Sequence, residues 1–144
     1  MDKFDIKGIW RGEYVYDDRF EPRIVKTPIP FLLKVKSVDP NGLFEGMCQD
    51  SPEVSQIDFP ADIYGKWEED QLTFSKRYPK TLFRDGSGKL MSVNEPHPDI
   101  IYQAKIGNSD KLLGTWRIEK TFRKLEGKVV EIGSITGVWW MVRL

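Results

Sequence analysis

Gly137-Val138-Trp139 places a glycine two residues before a tryptophan, and this spacing recurs along the chain. The other copies are Gly8-Ile9-Trp10, Gly65-Lys66-Trp67 and Gly114-Thr115-Trp116. Because side chains alternate along a strand, the glycine and the tryptophan of each pair share one face. A glycine inside a strand marks a bend or the close approach of another backbone. The repeat therefore predicts a tightly curved, closed antiparallel sheet with aromatic side chains inside.

Eight segments have the alternation and the turn boundaries of β-strands. They are Ile6–Asp17, Pro30–Val38, Leu43–Asp50, Phe59–Trp67, Gln71–Pro79, Ile100–Ile106, Leu112–Glu119 and Thr136–Arg143. The connection 120–135 can form another hairpin that turns at Glu126-Gly127, and the connection 18–29 can hold a short helix or a lid. We therefore predict an all-β fold in which residues 1–144 form a single up-and-down antiparallel barrel of about eight to ten strands.

Composition excludes several classes of function. The 144 residues carry 22 basic and 22 acidic side chains, so the chain lacks the positive charge of a nucleic-acid-binding protein. No apolar run reaches the length of about 18 residues that a membrane-spanning helix needs. Residues 1–7 are charged and do not resemble a secretory signal. We expect a cytoplasmic protein with no membrane span, and its single cysteine, Cys48, cannot form an intramolecular disulfide.

The face that carries the Gly-x-Trp pairs is predicted to line the barrel. Its aromatic members include Phe31, Phe44, Phe74 and Trp139. The same register also places polar side chains inside, namely Tyr14, Tyr16, Asp50, Lys76, Tyr78, Tyr102 and Arg143. Buried ionisable groups are unfavourable unless they are paired, so two interpretations stay open. Either Asp50 and Lys76 form a structural ion pair with the tyrosine hydroxyls, or Lys76 and the tyrosines hold a carboxylate or another polar head while the aromatic rings hold an apolar body.

Four short motifs carry a resemblance to a known group of barrels. They are Phe-x-Gly-x-x-x-Asp at 44–50, Phe-x-Lys-x-Tyr at 74–78, Ile-x-Tyr at 100–102 and Gly-x-Trp at 114–116. With Gly8-Ile9-Trp10, the chain resembles the calycin group of lipocalins, fatty-acid-binding proteins and avidins, and is most similar to lipocalin-like domains. This resemblance implies a lumen that binds a small, often hydrophobic molecule. The segment 8–12 is also similar to nitrobindin-type haem barrels, but 136–144 contains no histidine to ligate iron, so we expect no cofactor.

Catalytic and metal-binding patterns are weak. The single histidine, His97, lies between two prolines and is predicted to be exposed. With one histidine and one cysteine, we expect no metal site. No Gly-x-Ser-x-Gly motif is present, and Cys48 is predicted to be a buried, inert thiol. Lys76 could form a Schiff base if burial lowered its pKa. An enzymatic function stays open but is not favoured.

The last predicted strand has a second apolar face. Val138, Trp140 and Val142 alternate with the inward residues of this strand. The segment 120–135 could fold back over them; otherwise they could form a homodimer contact or dock another protein. The leading prediction is thus small-molecule binding in the lumen. The alternative is an interaction module with a side-chain-filled barrel that docks through its outer C-terminal strand.

Overall fold

The computed structural model of the protein describes residues 5–17, 27–84, 87, 90–94, 97–106, 110–125, 127–132 and 134–144. The elements, in chain order, are β1 Gly8–Tyr16, β2 Ile29–Val38, β3 Leu43–Asp50, α1 Pro52–Ser55, β4 Ala61–Glu68, β5 Gln71–Arg77, β6 Thr81–Arg84, β7 Leu90–Val93, β8 Ile100–Lys105, β9 Lys111–Ile118, β10 Thr121–Leu125, β11 Lys128–Ile132 and β12 Ile135–Arg143. Within these described ranges, no helix has the length and apolar character needed to span a bilayer.

Eight of these strands close into one antiparallel barrel. Their order around the barrel is β1-β12-β9-β8-β5-β4-β3-β2, and β1 closes it by pairing with both β2 and β12. The eight predicted barrel strands and their up-and-down order are confirmed. The predicted hairpin in 120–135 is also present as β10–β11, and β6–β7 forms a second hairpin outside the barrel sheet. The predicted helix or lid in 18–29 falls largely on 18–26, outside the described residues.

The two ends of the barrel differ in their connections. At one end, here called the turn end, short connections join β2 to β3, β4 to β5 and β8 to β9. At the other end, the loop end, the chain makes its four longer connections, which include α1 and both extra hairpins. Binding residues concentrate on the long connections of a rigid scaffold, so we expect a binding site at the loop end.

Two of the four Gly-x-Trp pairs are explained by the pairing of β9 with β12. Gly137 lies directly opposite Trp116, and Gly114 lies directly opposite Trp139. A Cβ atom on Gly137 would come within 2.3 Å of the Trp116 ring, and one on Gly114 within 2.8 Å of the Trp139 indole nitrogen. Each glycine therefore makes room for the tryptophan of the neighbouring strand, which lets two indole rings pack on one face of the sheet.

The predicted inward register is confirmed by burial. Trp10, Trp116 and Trp139 are at most 3% exposed, whereas Trp67 is partly buried against the same core. Each of the three buried indole nitrogens donates a hydrogen bond to a backbone carbonyl, on Ile6, Val15 and Thr115 respectively. The three indole rings therefore stabilise the core, and each of their N–H donors has a hydrogen-bond partner.

Candidate functional site

A buried ion pair lies inside the loop end of the barrel. Asp50 is the last residue of β3 and Lys76 is near the end of β5, so both charged side chains lie at the loop end of the barrel. The Lys76 Nζ lies 2.6 Å from Asp50 Oδ1, and the two side chains are 1% and 0% exposed. The hydroxyls of Tyr14 and Tyr78 donate to Asp50 Oδ2, the former at 3.0 Å. The carboxylate is thus held by one ammonium and two hydroxyls.

Aromatic rings surround the Lys76 ammonium. Its nitrogen lies 4.6 Å from the ring centre of Tyr14, 5.0 Å from Tyr78 and 5.9 Å from Tyr102. Phe31 adds a fourth ring at 6.0 Å. Cation–π attraction strengthens when the cation has lost its water, so these rings replace part of the hydration of Lys76.

The pKa values of the cluster follow from burial and from its charges. Burial raises the pKa of Tyr14, Tyr78 and Tyr102, and the Asp50 charge adds to the effect. Burial alone would lower the pKa of Lys76, but the adjacent Asp50 carboxylate outweighs it and keeps the ammonium charged. Burial raises the pKa of Cys48 to about 12, which agrees with the prediction of an inert thiol. At neutral pH Lys76 is therefore not a free amine that could form a Schiff base.

His97 covers this cluster, and the prediction that it is exposed was wrong. It is 6% exposed because its segment folds onto the loop end, where its backbone N–H donates to the Tyr78 carbonyl at 3.1 Å. Its ring meets the edge of Tyr78 with centroids 5.7 Å apart, and Phe59 packs on Tyr78 at 6.1 Å. The flanking prolines stiffen this segment but do not decide which way it lies.

Three of the four aromatic residues predicted to hold an apolar body, Phe44, Phe74 and Trp139, pack with Tyr102 into a ring cluster, here called the aromatic stack, which reaches the ion pair at Tyr102. The fourth, Phe31, packs on Tyr14 with ring centres 6.3 Å apart. Phe74 stacks on Tyr102 at 4.8 Å between ring centres and meets Trp139 at 5.7 Å and Phe44 at 6.4 Å. Tyr16 is half-buried and packs edge-on against Trp116 at 5.0 Å. Ten of the eleven predicted ligand-binding residues, all except Arg143 and with Asp50 and Lys76 among them, therefore lie in the barrel interior.

Arg143 lies apart from this lumen cluster, at the turn end. Its guanidinium lies 4.4 Å from the Trp10 ring centre, and its Nε is 3.0 Å from Asp110. Its two terminal nitrogens donate to the backbone carbonyls of Lys7 and Asp5. Arg143 thus fastens the chain before β1 across the barrel end. Strand alternation correctly placed Arg143 on the inner face, but alternation does not indicate how far along the barrel axis a side chain lies.

The outer side of β12 and its neighbours forms an apolar surface, here called the β12 face. It comprises the exposed residues Ile9, Leu32, Leu113, Val138 and Leu144 and the half-buried residues Trp140 and Val142. Val138 is 56% exposed and Leu113 is 63% exposed, so the β10–β11 hairpin does not fold back over this face. Five of the eleven strongly exposed large apolar side chains in the described ranges lie on it. This concentration marks the β12 face as a second candidate site.

No protein-family model matches this chain, and neither a curated protein nor a solved structure matches it. In the described part of the chain, no three histidine, cysteine, aspartate or glutamate side chains are grouped to hold a metal ion. The assignment of function therefore depends on the geometry of the lumen and of the β12 face.

Proposed function

We propose that this protein is a cytoplasmic, lipocalin-like binding protein that takes a small amphipathic molecule into the loop end of its barrel. The polar part of the ligand contacts Lys76, Asp50 and the surrounding tyrosines, and the aromatic stack around Phe74 contacts its apolar part. The observation that carries this proposal is the fully buried Asp50–Lys76 pair in a mostly apolar interior.

The energetics of such a pair favour a functional role. Removing two charges from water is so unfavourable that an apolar pair of similar volume is often as stable or more stable. A buried lysine and aspartate are therefore not what folding alone requires of a small barrel core. A few convergent polar groups inside a mostly apolar enclosure are the usual composition of a small-molecule site.

The polar groups of the site form hydrogen bonds with one another. Among the described residues, no buried side-chain nitrogen or oxygen lacks a hydrogen-bond partner. A ligand must therefore replace an internal hydrogen bond, for example that of Tyr78 to Asp50, and move a ring of the stack. We expect a ligand whose head group carries a carboxylate, carbonyl or hydroxyl, because these can accept the hydrogen bonds that Asp50 now receives.

Native mass spectrometry of gently purified protein tests this proposal. We expect an extra mass in the native spectrum that is absent after denaturation, and its value would begin to identify the ligand. The variant Tyr102→Phe removes one hydroxyl from the lumen, whereas Asp50→Asn with Lys76→Met removes both charges in nearly the same volume. The double variant should lose the extra mass while retaining the circular dichroism of the native barrel.

Two results would contradict the proposal, the first against small-molecule binding and the second against the role of the charged pair. One is a native mass equal to the bare chain, combined with no thermal shift from long-chain carboxylates or alcohols. The other is ligand retention by the folded double variant, because the charged pair would then play no part in binding. Trp140→Glu on the β12 face serves as the matched control and should retain the ligand.

The second candidate function is docking through the β12 face, and the exposure of Leu113, Val138 and Leu144 favours it. In this function the barrel interior remains filled by its own side chains. Trp140→Glu should then abolish association, whereas the lumen variants should leave association unchanged.

A further inference from the structure

The β12 face combines apolar side chains with an excess of positive charge. Arg11 and Lys111 place their cationic groups 6.0 and 5.9 Å from the ring centre of Trp140, one from each flanking strand. Lys34 is exposed beside Ile9, while Glu13 is the carboxylate next to Trp140 in the strand register. In a chain with zero formal net charge, the described neighbours of Trp140 and Ile9 on the flanking strands thus include three cations and one carboxylate.

The geometry excludes two common ways of binding a peptide. β12 is hydrogen-bonded to β1 on one side and to β9 on the other, so it has no free edge to which another strand could add. The face is the outer wall of a closed barrel and is therefore convex, whereas an amphipathic helix needs a groove. A two-fold dimer through this face would place two copies of the same positively charged surface against each other, which is electrostatically unfavourable.

We propose that the β12 face is a peripheral membrane-docking surface for an anionic lipid bilayer. This inference rests on the docking candidate above and not on ligand binding in the lumen. A bilayer surface is deformable, so it can accept a convex protein wall. Trp140 occupies the headgroup boundary, where tryptophan is favoured. Leu113 and Val138 insert beside it, and the surrounding cations contact lipid phosphates.

Vesicle co-sedimentation tests the proposal with defined lipids. The wild-type protein should bind vesicles that contain phosphatidylglycerol and should bind vesicles of phosphatidylcholine alone much more weakly. Added salt should reduce binding because surface charges are screened within about 10 Å at 0.1 M. Trp140→Glu should lower the partition coefficient by more than about tenfold, since it removes an anchor and adds a repelled charge.

Tyr64→Glu provides a matched control. Tyr64 is 50% exposed on β4, which stands opposite β12 in the barrel order. This variant makes the same change of an aromatic side chain to a carboxylate and gives the same net charge as Trp140→Glu. It should bind anionic vesicles as the wild type does. A second readout uses Trp140→Phe: the wild-type emission should shift to shorter wavelength on vesicle binding, and the shift should be smaller in this variant.

Three outcomes would overturn the inference. The first is equal partitioning of wild type and Trp140→Glu onto anionic vesicles. The second is an equal loss of binding in Tyr64→Glu, which would reduce the effect to net charge. The third is a dimer mass in light scattering that Trp140→Glu converts to a monomer, because the face would then be covered by a second copy. None of these results bears on ligand content, which native mass spectrometry measures separately.

Discussion

Each end of the barrel holds a cation against aromatic rings, but the two cations differ in their access to water. Lys76 at the loop end is 1% exposed and is paired with an equally buried Asp50. Arg143 at the turn end is 27% exposed and bonds to Asp110, which is 73% exposed, and to backbone carbonyls. Loss of the paired carboxylate should therefore destabilise the protein more at Lys76 than at Arg143, because an unpaired charge is tolerated at the surface and is not tolerated in the core.

The largest effect is expected from separating the buried pair. Lys76→Met leaves Asp50 without its counter-ion and should reduce the free energy of unfolding by about 3–5 kcal/mol, measured by urea denaturation. Adding Asp50→Asn should restore most of this loss, since the asparagine oxygen still accepts from Tyr14 and Tyr78 and no charge remains. If the double variant were as unstable as Lys76→Met alone, the lost contacts and not the unpaired charge would be responsible.

Alkaline pH should act mainly on the loop end. In the folded protein, Cys48, the three buried tyrosines and Lys76 stay protonated at pH values where the unfolded chain loses these protons. In the unfolded chain the pKa is 9.0 for the cysteine, 10.0 for the tyrosines and 10.5 for the lysine. The unfolded state then binds fewer protons, so stability falls as pH rises above about 9. Each group contributes a slope of up to about 1.4 kcal/mol per pH unit.

Urea denaturation at several alkaline pH values measures this slope, and Tyr102→Phe should reduce it by the contribution of one group. Absorbance of tyrosinate at long ultraviolet wavelength should show the ionisation of Tyr14, Tyr78 and Tyr102 together with the loss of the barrel circular dichroism. Full ionisation of all tyrosines in a protein that still has its native spectrum would contradict the burial of the cluster.

A smaller effect is expected at the turn end. Arg143→Met retains an apolar stem over Trp10 but loses the hydrogen bonds to the backbone before β1, so the free energy of unfolding should fall by about 1–2 kcal/mol. Arg77→Met is a suitable control, because the exposed Arg77–Asp99 pair at 2.6 Å should contribute less than about 1 kcal/mol. A loss at Arg143 as large as that at Lys76 would remove the distinction between the two ends.

Local patterns in the sequence determined the barrel and the content of its lumen. Strand alternation assigned Asp50 and Lys76 to the inner face, and the glycines of the Gly-x-Trp repeat indicated close packing, since both features depend only on neighbouring residues. Only the tertiary structure decided which inward groups meet. The strand register brings Lys76 within 2.6 Å of Asp50, twenty-six residues away, and sends Arg143 to the opposite end.

The cover over the site was likewise decided by tertiary packing. His97 is buried because its segment lies on Tyr78, and the β12 face is exposed because the β10–β11 hairpin does not cover it. These outcomes depend on where long connections lie against the barrel, and no periodicity of side chains encodes that. Sequence determined which residues face inward or outward through the geometry of single strands. Tertiary structure decided their partners, because contacts between distant segments form only when the barrel closes.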